Sequence, residues 1–139
     1  MLNLVLLVVS IQSVVCTCCA ISAAVSLPAL DTLLDEYDKG NKFFLYTGRS
    51  PSGPIHLGHL ISWIFAKWIQ DAFDCDLWFQ FPDEEKFLFK KDLTYEDTQK
   101  YLEENMLDVI ALGFNPKKTH FIVNTKHSDL IYPEACKVA

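Results

Sequence analysis

Charge is missing from the opening of the sequence: from Met1 to Leu30 there is no Asp, Glu, Lys, Arg or His, and every charged residue of the chain stands from Asp31 onward. Positive charge is scarce throughout, with 12 Lys and Arg against 18 Asp and Glu, a net charge of -6. Surfaces that grip nucleic acid take most of their affinity from Lys and Arg against phosphates. This balance argues against a main RNA-holding surface, so basic contacts to any RNA would have to come from elsewhere. No metal-ligand spacing occurs either. Cys16, Cys18 and Cys19 are too close together for a four-ligand zinc pattern, and Cys75 and Cys136 stand alone, as unpaired thiols in a reducing compartment do. What the chain does have is apolar matter: half of its 139 residues are hydrophobic and 13% aromatic. That is enough for one domain with a real core and argues against wholesale disorder.

The change at Asp31 is the clearest boundary, dividing an uncharged apolar segment, 1–29, from a domain-like unit, 30–139. Three readings of the first segment stay open. A secretory signal would explain the aliphatic run from Leu2 to Val15 and the small residues Ala23-Ala24-Val25-Ser26, but the basic start that such signals carry is missing. A membrane span wants roughly 20 apolar residues, which Leu2 to Ala24 reaches only through several polar positions, with no flanking Lys or Arg to orient it. The third reading is sequence not native to the domain.

Beyond the boundary the pattern alternates. Leu30, Leu33, Leu34 and Tyr37 have helical spacing and Gly40 stops them. Lys42 to Tyr46 reads as a short buried strand, followed by a loop dense in turn formers from Thr47 to Pro54. Gly58 to Phe73 reads as a helix apolar on nearly every side, which predicts packing against a sheet and something else besides. Asp76 to Phe81 gives a second strand ended by Pro82, and Thr119 to Val123 a third. Between them Thr94 caps a helix that runs to Leu112, with Tyr101, Leu102, Met106, Val109 and Ile110 as its inner stripe. Strand, helix, strand, helix, strand with short connections predicts an α/β fold: a Rossmann-like parallel sheet with covering helices, here incomplete. Ligands of such sheets sit outside the carboxyl ends of the strands, where Tyr46 to Gly48 and Gln80 to Asp83 fall.

One loop carries the chemistry. Pro51-Ser52-Gly53-Pro54-Ile55-His56-Leu57-Gly58-His59-Leu60 puts two histidines three apart at the first turn of a helix. Free backbone N–H groups and the partial positive charge of a helix start suit a polyphosphate, the imidazoles add donors, and Gly58 lets a base or ribose approach the backbone. A bare His-x-x-His is more often a surface turn or a metal pair. The strand, loop and helix start in this order favour nucleotide binding.

This stretch resembles the His-Ile-Gly-His signature of class I aminoacyl-tRNA synthetases, with Leu57 in place of isoleucine. The runs Phe44 to Pro51, Phe65 to Asp71 and Asp83 to Lys86 resemble the tryptophanyl branch of that family in eukaryotes and archaea. The resemblance spans roughly Leu30 to Ala139 and nothing before it. It implies tryptophan activation with ATP and transfer to tRNA(Trp). Tyr46 and Gln80 would bond the indole N–H, and Glu85 would face the amino group. Thr47, Gly48, Arg49, His56, Gly58, His59 and Lys86 would line ATP and its Mg²⁺, with His56 and His59 as catalytic groups that stabilise the transition state rather than carry protons. It further implies a cytoplasmic, usually homodimeric enzyme with no membrane attachment and no protein-held metal. Phe81-Pro82 departs from the expected Met-Thr or Leu-Thr. The second family signature, Lys-Met-Ser-Lys-Ser, and the anticodon-reading domain do not occur in the chain, so the expectation is a truncated catalytic domain inactive alone. Rival expectations are a tyrosyl-tRNA synthetase, a tRNA-independent nucleotidyltransferase of the same superfamily, and a non-catalytic fragment.

Overall fold

A computed structural model describes residues 5–8, 28–89 and 92–138. In chain order these form β1 (Val5–Val8), α1 (Pro28–Asp38), β2 (Phe43–Gly48), α2 (Leu57–Phe73), β3 (Asp76–Phe81), α3 (Asp83–Phe89), α4 (Tyr95–Ala111), β4 (Thr119–Val123) and α5 (Ser128–Val138). The strands make one sheet in the order β1-β2-β3-β4, parallel at every pairing. Three of the four are the expected ones, and the parallel α/β architecture is as the alternation of elements dictates.

The strands alternate strictly between two faces. Phe43, Leu45 and Thr47 of β2, and Leu77, Phe79 and Phe81 of β3, are buried. They pack with Trp63, Ala66 and Ile69 of α2 and with Leu102 and Val109 of α4. Trp63 meets Phe79 edge-on at 5.2 Å, and Phe79 lies 4.8 Å from Phe81. Tyr37 of α1 joins Phe43 and Phe73 in a T-shaped trio that closes the lower end of this core. The opposite face, with Phe44, Tyr46, Trp78 and Gln80, is more open, and Trp78 stacks on His120 across it.

Three departures from the sequence-based expectations have physical reasons. β1 falls within the segment set apart as 1–29: Val5–Val8 pairs in register with Phe43 to Tyr46 at the sheet edge. Four aliphatic residues cannot be told from an apolar leader by composition. β2 runs to Gly48 rather than stopping at Tyr46, because Arg49 N–H continues the ladder onto the Gln80 carbonyl at 2.9 Å. Ile110, expected on the inner stripe of α4, is 54% exposed, since the buried stripe is the narrower Thr98, Leu102, Asn105 and Val109. The all-round apolarity of α2 leaves Ile64 and Trp68 at 56% and 60% exposure, so its second expected partner is not among the described residues. Among those residues no helix is long and apolar enough to cross a membrane.

Candidate active site

β2 and β3 bring their carboxyl ends side by side, with Gly48 in register with Gln80 and Tyr46 with Trp78. Period-two alternation then puts Tyr46 and Gln80 on the same, open face, one diagonal step apart. The Tyr46 hydroxyl donates to Gln80 Oε1, and partial burial raises the phenol pKa, which keeps it a donor. These strands can approach so closely because residue 48 has no side chain. A Cβ there would lie 2.5 Å from the Gln80 carbonyl oxygen. Thr47 alternates to the buried face, so toward a ligand at the strand ends it offers chiefly its backbone.

Arg49 follows at once, and its guanidinium organises the histidine loop. Nε donates to Asn105 Oδ1 at 2.6 Å, Nη1 to His59 Nε2, and Nη2 to the carbonyls of Gly53 and Pro54 at 3.2 and 3.1 Å. The Asn105 amide returns a bond to the Gly53 carbonyl at 3.1 Å. Asn105 is fully buried on the inner stripe of α4, so the loop is latched to α4 both directly, by Asn105, and through Arg49. A planar five-donor fork can hold four partners at once; an ammonium cannot.

His56 caps the start of α2, with the His59 ring packed against it. His56 Nδ1 accepts from the Gly58 amide at 3.2 Å, and the His56 amide points at His59 Nδ1 at 3.3 Å, with ring centroids 3.7 Å apart. Gly58 permits this: a Cβ there would come within 3.1 Å of the His56 ring. Both His59 nitrogens cannot accept in a neutral imidazole. Arg49 can only donate, so Nε2 holds the lone pair; the ring proton then sits on Nδ1 and faces the His56 amide, and that 3.3 Å contact is no hydrogen bond. Burial, then the charge of Arg49, then that of His56, lower the His59 pKa to about 4. His59 is therefore a neutral group at pH 7, with Arg49 the cation beside it.

The other expected residues lie on α3. Glu85 and Lys86 pair with each other at 3.0 Å, both partly exposed, and the structure does not join them to the Arg49 cluster. Their neighbours are better anchored. Asp83 is fully buried and accepts from the Thr125 amide (3.1 Å), the Thr125 hydroxyl (2.5 Å) and the Gln99 amide (2.8 Å). Burial alone would raise its pKa, but the Thr125 and Gln99 bonds outweigh that and lower it. Asn105, Asn124 and Glu84 are passed over in the sequence reading. Asn124 alone had an available signal, since it directly follows the carboxyl end of β4, as Tyr46 and Gln80 lie near those of β2 and β3.

The chain matches the family of class I tRNA synthetases (W and Y) over residues 38–131. It is similar to the tryptophan–tRNA ligase of Pyrococcus furiosus, 50% identical over 109 residues that make up 78% of this chain and 28% of that protein. Similarity to the tryptophan–tRNA ligase of Pyrobaculum calidifontis is 47% over 110 residues, 79% of this chain and 29% of the relative. Its fold superposes on the tryptophanyl-tRNA synthetase of Plasmodium falciparum with a TM-score of 0.72 and 41% identity, over 75% of this chain and 29% of that one. The chain thus spans less than a third of the length of the relatives it matches.

Proposed function

This chain belongs to the class I tRNA synthetases of the W and Y group, and from that premise we propose that residues 30–139 carry the amino-acid and ATP recognition part of a tryptophan–tRNA ligase. The tryptophan carboxylate attacks the α-phosphate of ATP, giving tryptophanyl-adenylate and pyrophosphate, and the tryptophanyl group then passes to the terminal adenosine of tRNA(Trp). Mg²⁺ arrives with the ATP. No acid–base pair is needed, because positioning and charge stabilisation do the catalytic work.

The observation that carries this reading is the Tyr46–Gln80 hydrogen bond at adjacent strand ends, on the rim next to the Arg49–His59 cluster. A buried indole N–H needs an acceptor, and Gln80 Oε1 keeps a second lone pair for it. Stranding those groups against phenylalanine is how such a pocket discriminates. Glu85 faces the amino group. Thr47 and Gly48 lend their backbone, and Arg49, His56, Gly58, His59 and Lys86 meet the phosphates and ribose. His59, neutral at pH 7, stabilises charge as a dipole and not as a proton carrier. Contacts to tRNA lie mainly outside this chain, as its acidic balance requires; the working enzyme is a cytoplasmic homodimer.

The test is a chimaera in which residues 30–139 replace the matching segment of the Pyrococcus furiosus relative. Tryptophan-dependent exchange of pyrophosphate into ATP is expected. Exchange that depends on tyrosine, or that needs no amino acid, would overturn the reading. Replacing both His56 and His59 with alanine should cut exchange by orders of magnitude and leave tryptophan affinity nearly unchanged; unaltered exchange would remove the histidines from the mechanism.

A further inference from the structure

The hydrogen-bond chain that begins at Tyr46 does not end at Gln80. Gln80 Nε2 donates to Asn124 Oδ1 at 2.7 Å, and Asn124 Nδ2 donates to Glu84 Oε1 at 2.7 Å. Asn124 is held by its backbone, whose N–H donates to the Phe81 carbonyl at 3.1 Å. Glu84 is held by its neighbour Asp83, which Thr125 and Gln99 pin in place. The other Glu84 oxygen is buried and has no partner among the described residues, so no second donor competes for this carboxylate.

An amide side chain can present either end, and hydrogen-bond partners decide which. Here the decision propagates from one terminus. A carboxylate only accepts, so Asn124 must turn its NH₂ to Glu84 and its oxygen to Gln80. Gln80 must then turn its own NH₂ to Asn124, which leaves its oxygen toward Tyr46 and the open face of the sheet. We propose that Glu84 and Asn124 are positioning residues that fix the polarity of the Gln80 amide, so that the site selects a ligand edge bearing an N–H donor. The inference rests on the reading of Tyr46 and Gln80 as the indole-facing pair. It adds two residues, from α3 and from the end of β4, that act on specificity through Gln80.

The relay itself can be read in the full chain without ligand, by ¹⁵N-edited NMR of the Gln80 side-chain amide. Its Nε2 protons should show contacts to the Asn124 side chain and none to the Tyr46 ring. In Glu84→Gln, where the terminus can also donate, two Gln80 amide environments should appear while the buried Leu77 and Val109 methyl signals stay in place. If the wild-type protons lie against Tyr46, the relay is wrong whatever any variant does. If they sit as expected but Glu84→Gln and Asn124→Ala, both folded, keep a single wild-type environment, the relay does not set the amide. Titration of the same chain with tryptophan and with its benzothiophene analogue, sulfur replacing the indole N–H, separates the relay from the indole reading. A wild-type chain that binds the two alike, or binds neither, contradicts the indole reading, while the NMR contacts still decide whether the relay exists. A wild-type preference for tryptophan that falls about tenfold in Glu84→Gln, the size of one net hydrogen bond, is the expected result. An undiminished preference in that variant overturns the proposal.

Discussion

Arg49 is the only arginine in the chain, and its side chain is spread over Asn105, His59, Gly53 and Pro54. Lysine offers a charge but no fork, so Arg49→Lys should loosen residues 50 to 56. With the fixed cation drawn back from Nε2, the His59 pKa should rise from about 4 toward its ordinary value; histidine titration by NMR reads this directly. The sign for stability follows. His59 binds its proton less well folded than unfolded, so it favours the fold at neutral pH and that contribution is lost as pH falls from about 6.5 to about 4. The melting temperature of the wild-type chain should drop over this window more steeply than that of a folded His59→Asn variant. Gly48 gives a second expectation. An added methyl meets backbone, not a pliable side chain, 2.5 Å away, so Gly48→Ala should destabilise by about 1–3 kcal/mol, as overpacking does, in a denaturant titration.

Single elements show why some of this was legible and some was not. α4 announces itself with Thr94 as cap and a long apolar stripe, and in the structure Thr94 and Asp97 each accept from the other's backbone amide. β3 is bounded by turn residues on either side. α3 is only seven residues, DEEKFLF, too short for a period to show, and α5 runs through Pro133, which reads as a stop. The place of the candidate site was legible where it depends on strand ends and a helix start, which is where Tyr46, Gln80, His56 and His59 stand. It was not legible where it depends on long-range partners, because Asn105, Asn124 and Glu84 gain their roles only once α4, β4 and α3 converge. Asp83 shows the energetic side of that convergence. Its three bonds tie α3 to α4 and to the loop after β4, and removing the carboxylate strands buried donors. Asp83→Ala should therefore cost about 1–3 kcal/mol. Because its folded pKa is lowered, the wild-type contribution is present above the unfolded carboxylate range and lost as pH falls below it.

For the molecule as a whole, charge and a domain-like pattern begin near Asp31. A chain that starts at Leu30 should accordingly keep a cooperative thermal transition and the packed aromatic core, and gain solubility by losing an uncharged segment. Loss of cooperativity would mean that β1 does more than cover the edge of β2. Among the described residues, apolar faces stay open on α2 and around Phe87 to Phe89. The claim that joins all of this is that Tyr46 and Gln80 read an indole N–H. Its most direct test is kcat/KM for tryptophan in pyrophosphate exchange, measured in the chimaera and in its Gln80→Leu variant, with the benzothiophene analogue alongside. Losing one hydrogen bond to a buried, uncharged donor should cost about 1–3 kcal/mol, roughly ten- to over a hundredfold for tryptophan. The analogue, which has no N–H to lose, should be used poorly by the parent and hardly less well by the variant, with the KM for ATP unchanged. A parent enzyme that uses the analogue as well as tryptophan, or a Gln80→Leu variant that loses activity equally toward both, would contradict the account.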